Sequence, residues 1–207
     1  MTNVSKAFRR LDAYASWMED AAEELTQPPL TTEEVLPLVR AWALRTSHDS
    51  QGRLVWWLDI AQMQLEAIAQ MPISEQLRGF VWFAHAIMFD ERAQRHGMAI
   101  VENLACVGFW AAVTMVPMKL SVKLDRLTIG ILPVKMKLIL MLDTPRWMSV
   151  MMRIFSMFMS KKMQKRMVMC KKEWHAVGER LGADCVPSGF GECGGTLHAD
   201  PVLDAHF

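Results

Sequence analysis

Residues Leu132–Arg166 read LPVKMKLILMLDTPRWMSVMMRIFSMFMSKKMQKR, and the reading of this stretch decides the fold. Leu138–Leu142 is a bare apolar run of five residues behind the alternating Val134-Lys135-Met136-Lys137. It is too short for a helix of its own and lies between Pro133 and Pro145, so it is expected to be a buried strand that leaves the core through Asp143-Thr144-Pro145. The residues from Trp147 to Met159 then read as a helix in which only Ser149, Arg153 and Ser156 are polar. A helix with so little polar surface must cover something apolar: a core, a partner, a bilayer or a bound lipid. Lys161, Lys162, Lys165 and Arg166 follow at once, and the spacings Lys161/Lys165 and Lys162/Arg166 put positive charge on neighbouring stripes of one helix. An apolar cover beside a cationic patch points to a membrane surface or an amphiphilic ligand.

The rest of the chain bounds that reading. Its 207 residues suit one domain with a sizeable core and a short helical prefix. Eighteen methionines are far above ordinary use, and unbranched, polarisable Met can line a space that adapts to an apolar guest or fill a core softly. The net charge of +1 hides a segregation: from Lys119 to Lys172 there are 13 Lys and Arg against two acids, a local +11, and the remainder carries −10. A local anionic partner is therefore expected in a nearly neutral protein. Nucleic acid is not the expected one, because the basic segment interleaves with Met, Ile and Leu instead of stacking aromatics and carries no nucleic-acid motif.

Cys106, Cys170, Cys185 and Cys193 form no CxxC pair, and the N-terminal MTNVSKAFRR has no apolar signal region, which suggests reduced thiols in the cytoplasm. The longest uncharged apolar stretch, Leu104–Met118, has 15 residues, short of the roughly 20 a spanning helix needs, so no transmembrane anchor is expected.

Taken in order, Val4–Leu25 has Leu11, Tyr14, Ala15, Trp17, Met18 and Ala22 at helical spacing, and Thr31 with Glu34 spells a capping box for a second helix to about Arg45. Leu54–Leu58 (LVWWL) reads as a strand, and Ser74 as the cap of a long helix to about Arg95 with Leu77, Phe80, Val81, Ala84, Ile87 and Met88 inward. Gly97 ends that helix, Met98–Leu104 is the next strand, Pro117 opens a helix through Leu124, Leu127 and Ile131, and Met167–Cys170 and Lys171–Leu181 follow as strand and helix. Strands alternating with helices make an α/β layered domain.

Read together, Gly52-Arg53-Leu54-Val55, His96-Gly97, Pro117, Leu132-Pro133, Leu142-Asp143-Thr144-Pro145 and Gly194-Gly195 resemble the CRAL-TRIO lipid-binding domain family, in order and spacing its tocopherol-transfer and retinaldehyde-binding branches. The likeness runs from about Leu36 to Leu197. It implies an α/β fold with a mixed β-sheet flanked by helices and an apolar cavity closed by a gate helix, here Trp147 to Met159. Residues 1–30 would be the remnant of an N-terminal helical subdomain, 31–200 the lipid-binding domain and 201–207 a tail. The positions matching the family's basic cleft for phosphoinositide headgroups are Lys135, Lys137, Lys162 and Arg166. Val134 stands where the phosphatidylinositol-transferring branch has an acidic residue, which favours a small lipophile as cargo. Other departures are Leu54 for the family's proline, Asn103 for an aspartate, Asp143 for an asparagine and Met18 for an arginine.

Candidate pocket and gate residues are Phe109, Leu124, Leu127, Ile139, Trp147, Met148, Met151, Met152, Phe155 and Phe158, any of which could be plain packing residues. Burying a guest contributes ~0.8 kcal/mol per CH₂. The GxGxxG of 189–194 lacks a strand-to-helix setting, Cys185, Cys193, His175 and His198 match no zinc spacing, and His85 and Asp90 have no nucleophile motif beside them. These readings lead us to expect a monomeric, cytoplasmic, peripherally membrane-associated protein with no cofactor, no metal and no enzymatic activity. It would carry a tocopherol-, retinoid- or phospholipid-like molecule and dock on phosphoinositide-containing membranes. The alternative is a non-transferring membrane- or protein-interaction module whose pocket has collapsed on its own Met and Phe side chains.

Overall fold

The computed structural model describes residues 4–25, 30–105, 108–109, 133–156, 161–170 and 175–191. Five strands form one sheet in the order β1-β2-β3-β4-β5: β1 (Leu44–His48), β2 (Leu54–Asp59), β3 (Met98–Asn103), β4 (Met136–Leu142) and β5 (Met167–Met169). β1 pairs antiparallel with β2, and all later pairs are parallel, so the sheet is mixed. The buried strand expected over Leu138–Leu142 is β4, which begins two residues earlier at Met136 and buries every residue but Lys137.

Before the sheet come α1 (Val4–Leu25) and α2 (Thr32–Ala41). α2 opens with the expected capping box: Glu34 N–H donates to Thr31 Oγ1 at 3.3 Å, and Thr31 N–H donates to Glu34 Oε2 at 2.7 Å. The helix stops at Ala41, short of the expected Arg45. Ala43 turns at φ 48°, and Leu44-Arg45-Thr46-Ser47-His48 becomes a strand through its pairing with β2. These five residues lack a strand-like apolar pattern; the hairpin supplies what local preference does not.

A short α3 (Leu65–Gln70) precedes α4 (Ile73–Phe89) and α5 (Glu91–His96). Ser74 does not cap α4; Pro72 occupies the N-cap position. The long helix also breaks at Asp90, whose side chain accepts from Ala93 N–H at 2.7 Å and so starts α5. The expected inward residues of α4 are buried, with Met88 half-buried.

Alternation along the strands sorts the core onto two faces. One face carries Leu44, Leu54, Trp56, Met98, Ile100, Met136, Ile139 and Met141 under α2, α3 and α4. The other carries Val55, Trp57, Ala99, Val101, Leu138, Leu140 and Leu142 under Val177 and Leu181 of α8 (His175–Leu181), with Cys185 and Phe190 beyond it. Two further helices join β4 to β5: α6 (Arg146–Ser156) and α7 (Lys161–Gln164). At 1.5 Å per residue α6 is about 16 Å long, enough to return along the sheet for the parallel β5.

At the carboxyl ends of the strands a buried polar network ties the chain's later turn to the sheet. Asn103 Nδ2 donates to Asp59 Oδ1 at 2.9 Å, and Gly191 N–H donates to Asp59 Oδ2 at 2.7 Å. Asp59 and Asn103 are direct partners in the β2–β3 register. An amide therefore supplies a donor where a second carboxylate would repel the first. Burial raises the Asp59 pKa, and the Gly191 and Asn103 hydrogen bonds oppose that shift.

α1 docks on α4 through Tyr14 and Trp17, which pack beside Val81 and Ala84, while Leu11 and Ala15 of the same helical spacing are exposed. The Tyr14 hydroxyl is hydrogen-bonded to His85 Nε2. Burial raises the phenol's pKa and lowers that of the imidazole, so at neutral pH an un-ionised phenol meets an un-ionised ring. A lowered folded-state pKa means that the unfolded chain takes up this proton first. Stability is then lost as pH falls through the ordinary histidine range near 6.5. Denaturant titrations at pH 7.5 and 5.5 should show this loss, and H85Q, which can still bond Tyr14, should reduce it; an unchanged difference would dismiss the assignment.

Candidate functional site

Three of the four parallel strands are preceded by a cation: Arg53 before Leu54, Lys135 before Met136 and Arg166 before Met167. Leu54, Met98 and Met136 lie side by side, and Met167 pairs with Ile139 three residues further along β4. The backbone ladder therefore gathers residues far apart in sequence at the amino edge of the sheet. Lys137 joins them through a register shift, since Met98 and Ala99 face Met136 and Leu138 and leave Lys137 as the extra residue. Such a bulge lets Met136 and Leu138 face opposite sides while Lys137 stays exposed. The Lys137 pKa is lowered, first by partial desolvation and then by the charges of Lys135, Arg166 and Arg53. Four cations that repel one another are a ready site for an anion.

Arg53 was not among the cations singled out from the sequence. It is held by the turn between β1 and β2: Asp49, whose side chain is fully buried, accepts from the Arg53 backbone N–H at 2.8 Å and from its Nε at 2.5 Å. Arg53 Nη2 also donates to the Arg180 carbonyl at 2.9 Å. Gly52, at φ 73°, closes the turn. The usable signal was its position immediately before a strand, shared with Lys135 and Arg166.

Gly97 lets β3 and β4 meet beneath these charges. Its φ of 87° and ψ of −167° are almost closed to other residues, and a Cβ would lie 2.4 Å from the Lys135 carbonyl oxygen and 3.0 Å from Lys137 Cγ. That carbonyl accepts from Met98 N–H at 3.0 Å. Lys162 belongs to α7, with its side chain outside the described residues.

The helix expected to cover the apolar site is α6. Met148 and Met152 pack into the cluster that contains Ile139, Met141 and Ile100, so α6 lies over the same sheet face as α4. Trp147 at its start meets Phe109 edge-on, ring centroids 5.4 Å apart, and Val150 is 60% exposed. Met151 and Phe155 lie on α6 with side chains outside the described residues, and Leu124, Leu127 and Phe158 lie outside them altogether. Asp143, where the family has asparagine, adopts φ 48°, a left-handed conformation that Asn and Asp tolerate better than most residues.

Among the described residues no group of three His, Cys, Asp or Glu side chains could hold a metal ion. His85 and Asp90, paired only by proximity in sequence, go to different partners, Tyr14 and His48. Burial and then Asp49 push the Cys185 thiol up to about 11, which keeps it protonated. No helix among the described residues is long and apolar enough to cross a membrane.

A mixed sheet with helices on both faces, an apolar helix over one face and cations gathered at one edge define a layered α/β domain. The chain belongs to the CRAL/TRIO domain family, whose pattern matches residues 43–194. Among solved structures it is similar to that described as the crystal structure of Sfh5, with a TM-score of 0.57 and 12% identity over 86% of this chain. The match covers 64% of that chain, so this chain spans somewhat less than two thirds of its length.

Gly97→Ala should lower stability by about 3 kcal/mol, through positive-φ strain and the clash with the Lys135 carbonyl. Urea denaturation measures it; an unshifted midpoint would show that β3 and β4 do not need this close approach.

Proposed function

We propose that this protein carries a small lipophilic molecule between the methionine-rich face of its sheet and helix α6, and that its cationic edge docks it on phosphoinositide-bearing membranes. One observation carries the first part. Met63, Met98, Met136, Met141 and Met152 are buried on the face beneath α4 and α6, with Met71, Met88, Met148 and Met167 packed against them, whereas among the described residues the opposite cluster holds no methionine. Core packing alone gives no reason for such segregation. Flexible thioether side chains can make room for a guest and close again, whereas Val55, Val101, Leu140 and Leu142 on the other face make a firm backing. Membership of a family known for small lipophilic ligands supports the same reading.

Arg53, Lys135, Lys137 and Arg166 support the second part, with Lys162 on the neighbouring helix α7. Each cation near an anionic leaflet contributes about 1 kcal/mol, so attachment is peripheral and salt-sensitive, as suits a carrier that must leave the membrane again. Contact with the membrane frees α6, whose Val150 and Phe109 neighbours already present apolar surface, and cargo exchanges beneath it. That Met148 and Met152 already pack against the cluster favours, as a second reading, an interaction module whose own side chains fill the space.

Organic extraction of the purified protein followed by mass spectrometry separates the two. A stoichiometric lipophile is expected; repeated recovery of none, with no uptake from vesicles, would leave the interaction module. For docking, K137A/R166A should weaken flotation with phosphoinositide-containing phosphatidylcholine vesicles roughly thirtyfold, about 2 kcal/mol, without loss of the extracted lipophile. Undiminished flotation would remove the cationic edge from the mechanism.

A further inference from the structure

Two buried tryptophans on the methionine-rich face have indole N–H groups with no hydrogen-bond partner. Trp42 is 4% exposed and Trp56 5%, and Nε1 of each is unpaired. Trp57, the next residue along β2, points to the other face, where its Nε1 donates to Ser47 Oγ at 2.8 Å. The fold thus satisfies the indole on the firmly packed face and leaves both on the adaptable face unmet. Buried polar groups are nearly always paired, and each exception calls for an explanation.

The two unmet donors belong to one patch. Trp42 and Trp56 both contact Phe80 of α4, with ring centroids 5.0 and 6.1 Å away, and Phe83 lies 5.0 Å from Trp56. Gln76 sits one turn before Phe80 on the same stripe of α4. Its Nε2 donates to the Ile68 and Met71 carbonyls at 3.1 and 2.9 Å, while its buried Oε1 has no partner. Trp42, Trp56, Phe80 and Phe83 thus make an aromatic wall with two unused donors, and Gln76 on α4 carries an unused acceptor. Trp42, Trp56 and Phe80 share a cluster with Ile139 and Met152, so the wall is continuous with the surface beneath α6.

We propose that this wall is the seat for the polar end of the guest, and that the guest is an uncharged lipophile ending in a hydroxyl group. The hydroxyl oxygen accepts from the indole N–H groups of Trp42 and Trp56, and its proton is donated to Gln76 Oε1. A carboxylate or phosphate end is disfavoured: the one buried Lys or Arg among the described residues, Arg45, faces the other side, where it donates to the Ser188 carbonyl at 2.5 Å. This inference rests on the carrier reading and adds the chemical class of cargo.

The test uses the full chain, W42F/W56F and each single variant, which keep an aromatic ring and remove the N–H. Hexadecanol and hexadecane, offered as cyclodextrin complexes, are the probes, and native mass spectrometry reads occupancy. The wild type should retain the alcohol about tenfold better than the alkane. The double variant should lose that preference while retaining the alkane as before. In ¹⁵N spectra of the wild type, the two indole resonances absent from the single variants should move with the alcohol and stay with the alkane, a readout independent of how the double variant folds. Equal retention of both probes by the wild type, a preference that survives the double variant, or indole resonances indifferent to the alcohol would overturn the seat and leave the carrier reading standing. Retention of neither probe by the wild type would overturn both.

Discussion

The backbone ladder that holds β2, β3, β4 and β5 parallel and in register is the constraint from which the rest of the structure follows. Parallel pairing places all four amino ends at one edge and all four carboxyl ends at the other. Residues as distant as Arg53, Lys135 and Arg166 become neighbours because each immediately precedes a strand. The same pairing obliges the chain to return between β4 and β5, and α6 lies over one face on that return. An apolar covering helix and a cationic edge are thus two consequences of one arrangement of hydrogen bonds. In open α/β sheets the carboxyl edge is the usual place for a ligand. Here it is occupied by structure, because Asp59, Asn103 and the Gly191 turn close it, and the charge gathers at the opposite edge.

The two sides of the sheet have different mechanical character. The side beneath α8 is made of Val, Leu and Ala with a satisfied indole, and Phe190 stacks edge-on against Trp57 at 4.8 Å. Branched side chains with few rotamers pack there into a fixed surface. The side beneath α4 and α6 mixes Met and aromatic residues with its Leu, Ile and Val, and has hydrogen-bonding capacity left over. A division between a firm support and an adaptable surface is what the proposed carrier role would need, an apolar molecule admitted and released without loss of the fold.

Much of this was legible without coordinates. The apolar run of β4 between two prolines, the capping box at Thr31 and Glu34, the helical spacing of Val4–Leu25 and the near absence of polar residues after Trp147 are local patterns, and each became the expected element. The ordered set of short motifs was enough to place the chain in its family. Errors fell where local pattern and long-range pairing disagree. Leu44–His48 has no strand signature and becomes β1 only because β2 lies beside it. Asp90 looks like one more helical residue until its carboxylate caps α5 and bonds His48.

What the sequence determined by itself is therefore the kind of element at most positions, the excess of methionine and the basic segment, since periodicity, capping and composition are written along the chain. Which side of the sheet the methionines share, how Arg53 joins the lysines of β4, and why Trp57 is satisfied while Trp42 and Trp56 are not were decided only by the tertiary structure. A strand's register sets which face each side chain takes and which distant residues meet at its ends. That register is fixed by partners elsewhere in the chain, and no local stretch contains it.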